Sequence, residues 1–343
     1  MELLLDIALL ALLLVTALAI AWTRDLFSAA MFSGIYGLLS AGFFMTMGAV
    51  DVAFTEAAVG AGISPLLILL TLALCGRRQR SDRTRAVLAL CLVASVGALL
   101  VAATLDMPAF GAADAPAHVH VAPRYINDSM AEIGIPNIVT SVLASYRAFD
   151  TLGEVVVILT AGLGVLALLS GGTDVEASSR LSAPHAGDQS RDLVLRVVAK
   201  ILIAPIMLYA LYVQFHGEYG PGGGFQAGVI FAVGFILYGL VFGLHALRRV
   251  ASSAVVQLLA AVGVLVYGTV GLLGLASGKN YLDYSALAGD AVTGQHIGII
   301  AIELGVGITV ASVMILVFYL FSEQLSGRRR AVPEESPVAG RSG

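Results

Sequence analysis

The chain has 343 residues, 58% hydrophobic and 12% charged, with a formal net charge of −4 and a mean hydropathy of +0.92. Soluble proteins carry about twice that charged fraction, so a soluble globule is excluded, and the lack of a basic excess excludes a nucleic-acid partner. Apolar residues fall in runs of roughly 20, enough to cross a ~30 Å hydrocarbon core as helices, and the alternating strands of a membrane barrel are absent.

The reading is therefore all-α: a polytopic transmembrane helical protein of about nine spans, drawn at 3–22, 26–48, 52–75, 86–105, 149–170, 193–213, 224–247, 252–276 and 292–321. Glu2 and Asp6 open the chain with no basic stretch before the apolar run, which reads as a first spanning helix rather than a cleaved leader. The alternation puts Arg24, Arg77, Arg78, Arg80, Arg83, Arg85, Arg180, Arg191, Arg248, Arg249 and Arg328 to Arg330 on one side, and only Arg124, Arg147 and Lys279 on the other. The positive-inside rule then predicts an outer N-terminus and a cytoplasmic C-terminus. Cys75 and Cys91 lie at or in apolar runs without a CxxC or histidine cluster, and read as buried membrane cysteines.

Composition divides the chain into a three-helix block (1–80), a two-helix block with a long outer loop (81–172), a polar linker (173–192), a four-helix block (193–326) and a cytoplasmic tail (327–343). No inverted repeat of the kind found in self-contained transporters is visible.

Ionisable groups within spans cost about 2.5–3.5 kcal/mol each even on the lenient insertion scale, so each demands a reason. In the first block, Asp51 and Glu56 lie five residues apart, about 140° around a helix, and cannot form one paired site. Asp51 is expected to cap the outer helix end. Glu56 lies deeper, with Gly60, Gly62 and Pro65 weakening the helix beyond it, as in ion sites built on broken helices.

In the second block, Ile138, Val139, Val142, Leu143 and Tyr146 form an apolar stripe that predicts a helix lying at the outer surface. Arg147, Asp150 and Glu154 then stack at i, i+3 and i+7, running from the interface inward. Arg147 holds Asp150 ionised, and Glu154, furthest from water, is placed to load and release a proton. An anchoring ion pair at a span end is the plainer alternative.

In the third block, Arg196 and Lys200 lie one turn apart near a cytoplasmic end, where snorkelling is the ordinary behaviour, with a place for Lys200 in an ion path as the alternative. His216 and Glu218 precede GPGGGFQAG, in which Pro221, Gly222, Gly223, Gly224 and Phe225 cannot begin as ordinary helix. The segment predicts a tight turn or unwound entry that approaches a neighbour or an ion. Gly239 and Gly243 form a GxxxG pair, which reads as tight packing. Glu303 lies 11 residues into the last predicted span, about 16 Å deep, followed by Gly305, Gly307 and Thr309, which permit close helix approach. His296 precedes it by two turns on the same face. His118 and His120 form HVH in a loop without further ligands. No nucleophile–base pair or haem motif appears, which argues against an enzyme, and no cofactor is expected.

The stretch YVQFHGEYGPGGGFQAGVIFA and the later AIELGVGITVASV resemble the B subunit of Mrp-type multisubunit sodium/proton antiporters. DVAFTEAAVGAGISPLL resembles the D-type small subunit of membrane-bound hydrogenases, and YRAFDTLGEV the E-type; in many Mrp complexes those two modules form the tail of the large A subunit. The resemblance implies a fused A-tail and B subunit in the bacterial cytoplasmic membrane, with antiporter-like large subunits and small A-tail-associated subunits as partners. It implies Na+ and H+ as cargo, carried past Glu56, Glu154 and Glu303, with no fixed metal but transient Na+ near Glu56 and Glu154. His216 and Pro221 match the B-type motif; Asp51 and Asp150 are also carried over. A subunit of a hydrogenase or ferredoxin-driven complex, a non-conducting scaffold and a stand-alone channel are the rival expectations.

Overall fold

The computed structural model describes residues 2–79, 83–109, 111–170 and 189–331. Most of the predicted linker and the tail beyond residue 331 lie outside the described residues. Among the described residues nine helices are long and apolar enough to cross a membrane, and no strand forms beyond one isolated bridge between Asp25 and Arg78.

Helices α1 (Glu2–Trp22) and α2 (Leu26–Thr46) pack together as a hairpin. The third span is composite: α3 (Val50–Glu56), a π-helical segment (Ala57–Ile63) and α4 (Ser64–Cys75). Pro65 has no N–H to bond back into the preceding turn, and Gly60 and Gly62 lower the cost of widening it. The wide turn is where α2 packs closest, since a Cβ on Gly37 would lie 2.6 Å from the Gly60 carbonyl carbon. At the arginine-rich end Arg77 pairs with Asp25 at 2.8 Å, and this guanidinium holds the Asp25 carboxyl well below the usual carboxylate range. Helix α5 (Arg83–Thr104) buries no residue.

Short helices follow at the opposite end: α6 (Pro116–Val119), α7 (Ala122–Asn127), α8 (Ser129–Glu132), α9 (Ile138–Ser141) and a second π-helical segment, Val142–Tyr146. The remaining spans are α10 (Ala148–Ser170), α11 (Gln189–His216), α12 (Gly224–Phe242), α14 (Ser253–Ala276) and α15 (Ala291–Ala331), with α13 (Leu244–Val250) between α12 and α14.

Helix α15 is the axis. In its span, 78% of the apolar window is buried, against 44% or less in every other span. Lipid tails are as apolar as leucine, so this core is held by close packing rather than by exclusion from water. A Cβ on Gly228 of α12 would lie 2.7 Å from the Gly307 oxygen, and one on Gly305 2.6 Å from the Gly263 oxygen of α14. The expected close approach after Glu303 is thus made on two sides. Tyrosines tie α10 and the segment before it to this core: Tyr267 Oη donates to the Ala148 carbonyl at 2.7 Å and Tyr284 Oη to that of Ala144 at 2.8 Å.

Three expectations change. The span drawn over 224–247 ends at Phe242, because Gly243 adopts φ 91° and turns the chain into α13. Of the GxxxG pair only Gly239 is tightly packed, against Leu247 and Phe318, while Gly243 faces open space. Cys75 and Cys91 are free and exposed on the chain surface rather than buried, since apolar positions of a membrane helix face outward as readily as inward.

Candidate functional site

Helix α11 ends at His216, and the chain enters α12 through residues 217–223. Gly223 takes φ 113°, a conformation that only glycine adopts without strain, and the Gly223 N–H bonds back to the Val213 carbonyl at 3.1 Å. The glycines make room for one side chain. A Cβ on Gly217 or on Gly223 would lie 3.1 Å from a carboxylate oxygen of Glu303, and one on Gly224 would lie 2.9 Å from the Glu303 carbonyl carbon. The predicted unwound entry exists, and it is moulded around the mid-span acid of α15.

Asp51 approaches the same loop from the first block. Helix α3 begins at Val50 with Ala49 as its cap, so Asp51 does not cap it as expected. Its carboxylate instead accepts from the Gly222 N–H at 3.3 Å and from Asn137 Nδ2 at 3.4 Å. Asn137 is the hub: Nδ2 also donates to the carbonyls of Gly217 at 3.1 Å and Gly220 at 3.0 Å, and its oxygen accepts from the Val139 N–H that opens α9. Thr140 Oγ1 donates to the Gly217 carbonyl at 2.6 Å. Thr140, Ser141 and Ala144 are buried, whereas Ile138, Val139 and Leu143 of the predicted apolar stripe are exposed. The helix presents its small and polar face to the protein.

These elements enclose a cavity of about 620 Å³, whose lining includes Asp51, Thr55, Thr140, Glu154, Gly222, Gly223, Gly224, Phe225, Gln226 and Glu303. Each block supplies one carboxylate: Asp51, Glu154 and Glu303. Gln226 Nε2 donates to Thr55 Oγ1 at 2.7 Å across the wall. Glu154 is exposed in the isolated chain, so the cavity is open on that side.

Other candidates fall elsewhere. Glu56 does not line the cavity; its carboxylate folds over Gly60 at the start of the π-helical turn, where a Cβ would be 2.8 Å from the carboxyl carbon. Glu56 and Glu154 therefore do not share a compartment. Arg147 and Asp150 form an exposed pair at 2.6 Å at the head of the helix that carries Glu154 one turn further in. Arg147 itself breaks from helical geometry at φ −121° and ψ 30°. Lys200 lies over the Phe242 ring at 5.7 Å, near the arginine-rich end and far from the carboxylates. His216 stacks on Tyr212 with ring centroids 4.9 Å apart, outside the cavity. Pro221 leads the loop without lining the cavity. Neither His118 nor His120 belongs to a metal-holding group, and no cluster that could hold a metal occurs among the described residues.

Sequence reasoning missed Asn137, Thr140, Thr55 and Gln226. The signal available was polarity: these amides and hydroxyls interrupt apolar runs, as Asn137 does in PNIVTSV.

Three family descriptions match the chain. Residues 194–316 match the "Domain related to MnhB subunit of Na+/H+ antiporter", residues 11–77 match MbhD, the D-type MBH protein, and residues 85–179 match MbhE, the E-type. A protein named as antiporter subunit mnhB2, from Staphylococcus haemolyticus (strain JCSC1435), is 32% identical over 139 residues, covering 39% of this chain and 96% of its own. Its counterpart in Staphylococcus aureus (strain Newman) is matched equally. Among solved structures, a chain of the Mrp complex from Dietzia sp. DQ12-45-1b superposes with a TM-score of 0.74 at 28% identity, covering 92% of this chain and 34% of that one. This chain thus spans about a third of the Mrp chain it matches. A chain of the membrane-bound sulfane sulfur reductase, an archaeal respiratory membrane complex, superposes with a TM-score of 0.54 at 27% identity, covering 70% of this chain and 98% of that one.

Proposed function

The chain belongs to the MnhB-related family of Mrp/Mnh antiporter membrane subunits, and from that premise we propose that it carries part of the cation path of a multisubunit cation/proton antiporter, exchanging internal Na+ for external H+. The observation that carries this reading is the meeting of Asp51, Glu154 and Glu303 around one cavity of about 620 Å³. Three carboxylates in a space walled mainly by apolar side chains repel one another when ionised. A proton or a sodium ion relieves that repulsion, and replacing one cation by the other leaves the net charge unchanged, so exchange costs little electrostatically. Thr55 and Thr140 line the same cavity and supply hydroxyl oxygens to a hydrated ion.

Glu154 marks the open side, where an ionised group facing lipid costs about 2.5–3.5 kcal/mol; a partner subunit of the complex closes it. The arginine-rich end faces the cytoplasm. Glu56, at the π-helical turn about 7–8 Å further along the third span than Asp51, is a second station reached from that partner side.

The test is antiport in everted vesicles from antiporter-deficient cells that express the whole complex, with assembly checked on a native gel. Glu303→Gln and Glu154→Gln should each abolish sodium-dependent proton efflux from intact complexes. Unchanged efflux in both makes the acids structural and the subunit a scaffold. A second reading has its own observation: the superposition on nearly all of a chain from an archaeal respiratory complex fits the same module in a redox-driven assembly, where efflux would require the electron-transfer subunits.

A further inference from the structure

We propose that His296 and Glu218 form a proton branch that delivers protons to Glu303 from the end of the bundle opposite the arginine-rich loops. The proposal rests on the reading of the acidic cavity as an ion path and adds a separate entrance for one of its two ions.

Glu218 lies in the loop between α11 and α12, with a side chain only 11% exposed, and His296 lies on α15 with a side chain 33% exposed. His296 Nδ1 is 3.2 Å from Glu218 Oε2 and 3.3 Å from Oε1. On its far side a second, small cavity of about 30 Å³ is lined by Gln214, Phe215, Glu218, Ile300 and Glu303. A water needs about 10–15 Å³ of such space and two to four polar partners. Gln214, Glu218 and Glu303 supply three. His296 precedes Glu303 by two helical turns, about 10 Å of rise, which the Glu218 carboxylate and one water bridge from the side.

Neither His296 nor Glu218 lines the larger cavity, so this route does not cross the cation site. The α11–α12 loop offers Glu218, with His216 turned away onto Tyr212; α15 offers Glu303; α3 offers Asp51. The loop over the imidazole places Gly134, flanked by Ile133 and Ile135, at its outer edge; a Cβ on Gly134 would be 3.4 Å from His296 Nε2.

The transfer balances. Imidazolium Nδ1–H gives its proton to a Glu218 oxygen and becomes neutral. Glu218 passes a proton to the water as that water gives one of its own to Glu303. The neutral imidazole keeps its Nε2–H, so it takes the new proton from bulk at Nδ1 when the partly exposed ring turns that nitrogen to solvent, and it swings back as imidazolium. One proton has then moved from solution to Glu303.

The experiment uses the whole complex in everted vesicles with His296→Gln, Glu218→Gln and Glu303→Gln chains. His296→Gln and Glu218→Gln should each lower the antiport rate about tenfold or more, within the range general acid–base groups supply. Each should also change the shape of the pH profile of antiport relative to wild type, with the sodium concentration for half-maximal rate within about twofold of wild type. Glu218→Asp should recover part of the rate. A merely structural role would leave the pH profile in place. Wild-type rate and profile in assembled His296→Gln complexes overturn the branch. If Glu218→Gln fails to assemble, the partly exposed His296→Gln decides alone. If Glu303→Gln is inactive while the other two are normal, only the branch has failed; if Glu303→Gln is also normal, the cavity reading has failed.

Discussion

Gly224 lies against the main chain of Glu303, so close that a Cβ would be 2.9 Å from both the Glu303 carbonyl carbon and Val306 Cβ. This contact seats the start of α12 on the acid-bearing turn of α15. Everything at the site depends on it, because both partners are backbone and neither can rotate away.

Gly224→Ala should therefore destabilise the subunit by at least the 1–3 kcal/mol typical of overpacking, and lower the thermal midpoint of the purified complex. Gly153, which faces open space on α10, is the control: Gly153→Ala should leave the midpoint unchanged or slightly raised. Equal midpoints for the two variants would mean that α12 and α15 are not held at this distance.

Asn137→Leu should loosen the whole entry loop. It removes one donor group that serves the carbonyls of Gly217 and Gly220; Gly217 keeps the Thr140 hydroxyl, but the Gly220 carbonyl loses its donor, a loss of about 1–3 kcal/mol. Hydrogen exchange of residues 217–223 should quicken several-fold while exchange within α14 stays slow. Uniform quickening in both segments would indicate global unfolding instead.

Asp51→Asn keeps an oxygen acceptor for Gly222 N–H but removes a charge from the cavity. It should leave assembly intact and weaken sodium dependence, raising the sodium concentration for half-maximal antiport. Glu56→Gln should abolish antiport in assembled complexes if the π-helical turn is a station on the path, and a normal rate removes Glu56 from it.

The loop before α10 should have a pH window. The Tyr146 hydroxyl, 2.5 Å from Glu132, and Arg124 beside it hold the Glu132 carboxyl below its ordinary value. Burial, followed by the Glu132 bond, pushes Tyr146 up to about 12. A depressed carboxyl contributes stability above its unfolded value of about 4.3, lost as pH falls through the folded one; a raised phenol contributes below its unfolded value of about 10, lost as pH rises toward 12. The protection of residues 122–134 against hydrogen exchange, taken relative to the intrinsic rate at each pH, should be greatest between those limits, and Tyr146→Phe should remove the alkaline limb.

Orientation has a direct chemical readout. Cys75 is exposed beside the arginine-rich end, whereas Cys91 lies eight residues, about 12 Å, into α5. A membrane-impermeant maleimide should label the protein at Cys75 in everted vesicles and not in intact cells. Labelling in intact cells would reverse the assignment of the N-terminus to the outside.

The sequence by itself determined the class of the protein and most of its helices. Spanning length and hydropathy are local properties, and nothing in a bilayer lets a run of twenty apolar residues do otherwise. The break after Glu56 was legible for a similar reason: Gly60, Gly62 and Pro65 weaken any helix they enter. So was the non-helical entry at Pro221 to Gly223. Only the tertiary structure decided which acids meet. Asp51, Glu154 and Glu303 come from three blocks far apart in the chain, and Glu56, equally conspicuous in sequence, is left out. The stripe 138–146 shows why. In water an apolar face points inward, but in lipid it can point either way, so hydropathy could not reveal that Asn137 and Thr140 lie on the face buried against the protein. His216 and Glu218 make the same point two residues apart. Which of them reaches His296 and which stacks on Tyr212 is set by the turn of residues 217–223, and that turn takes its shape from the acid on α15 around which it closes.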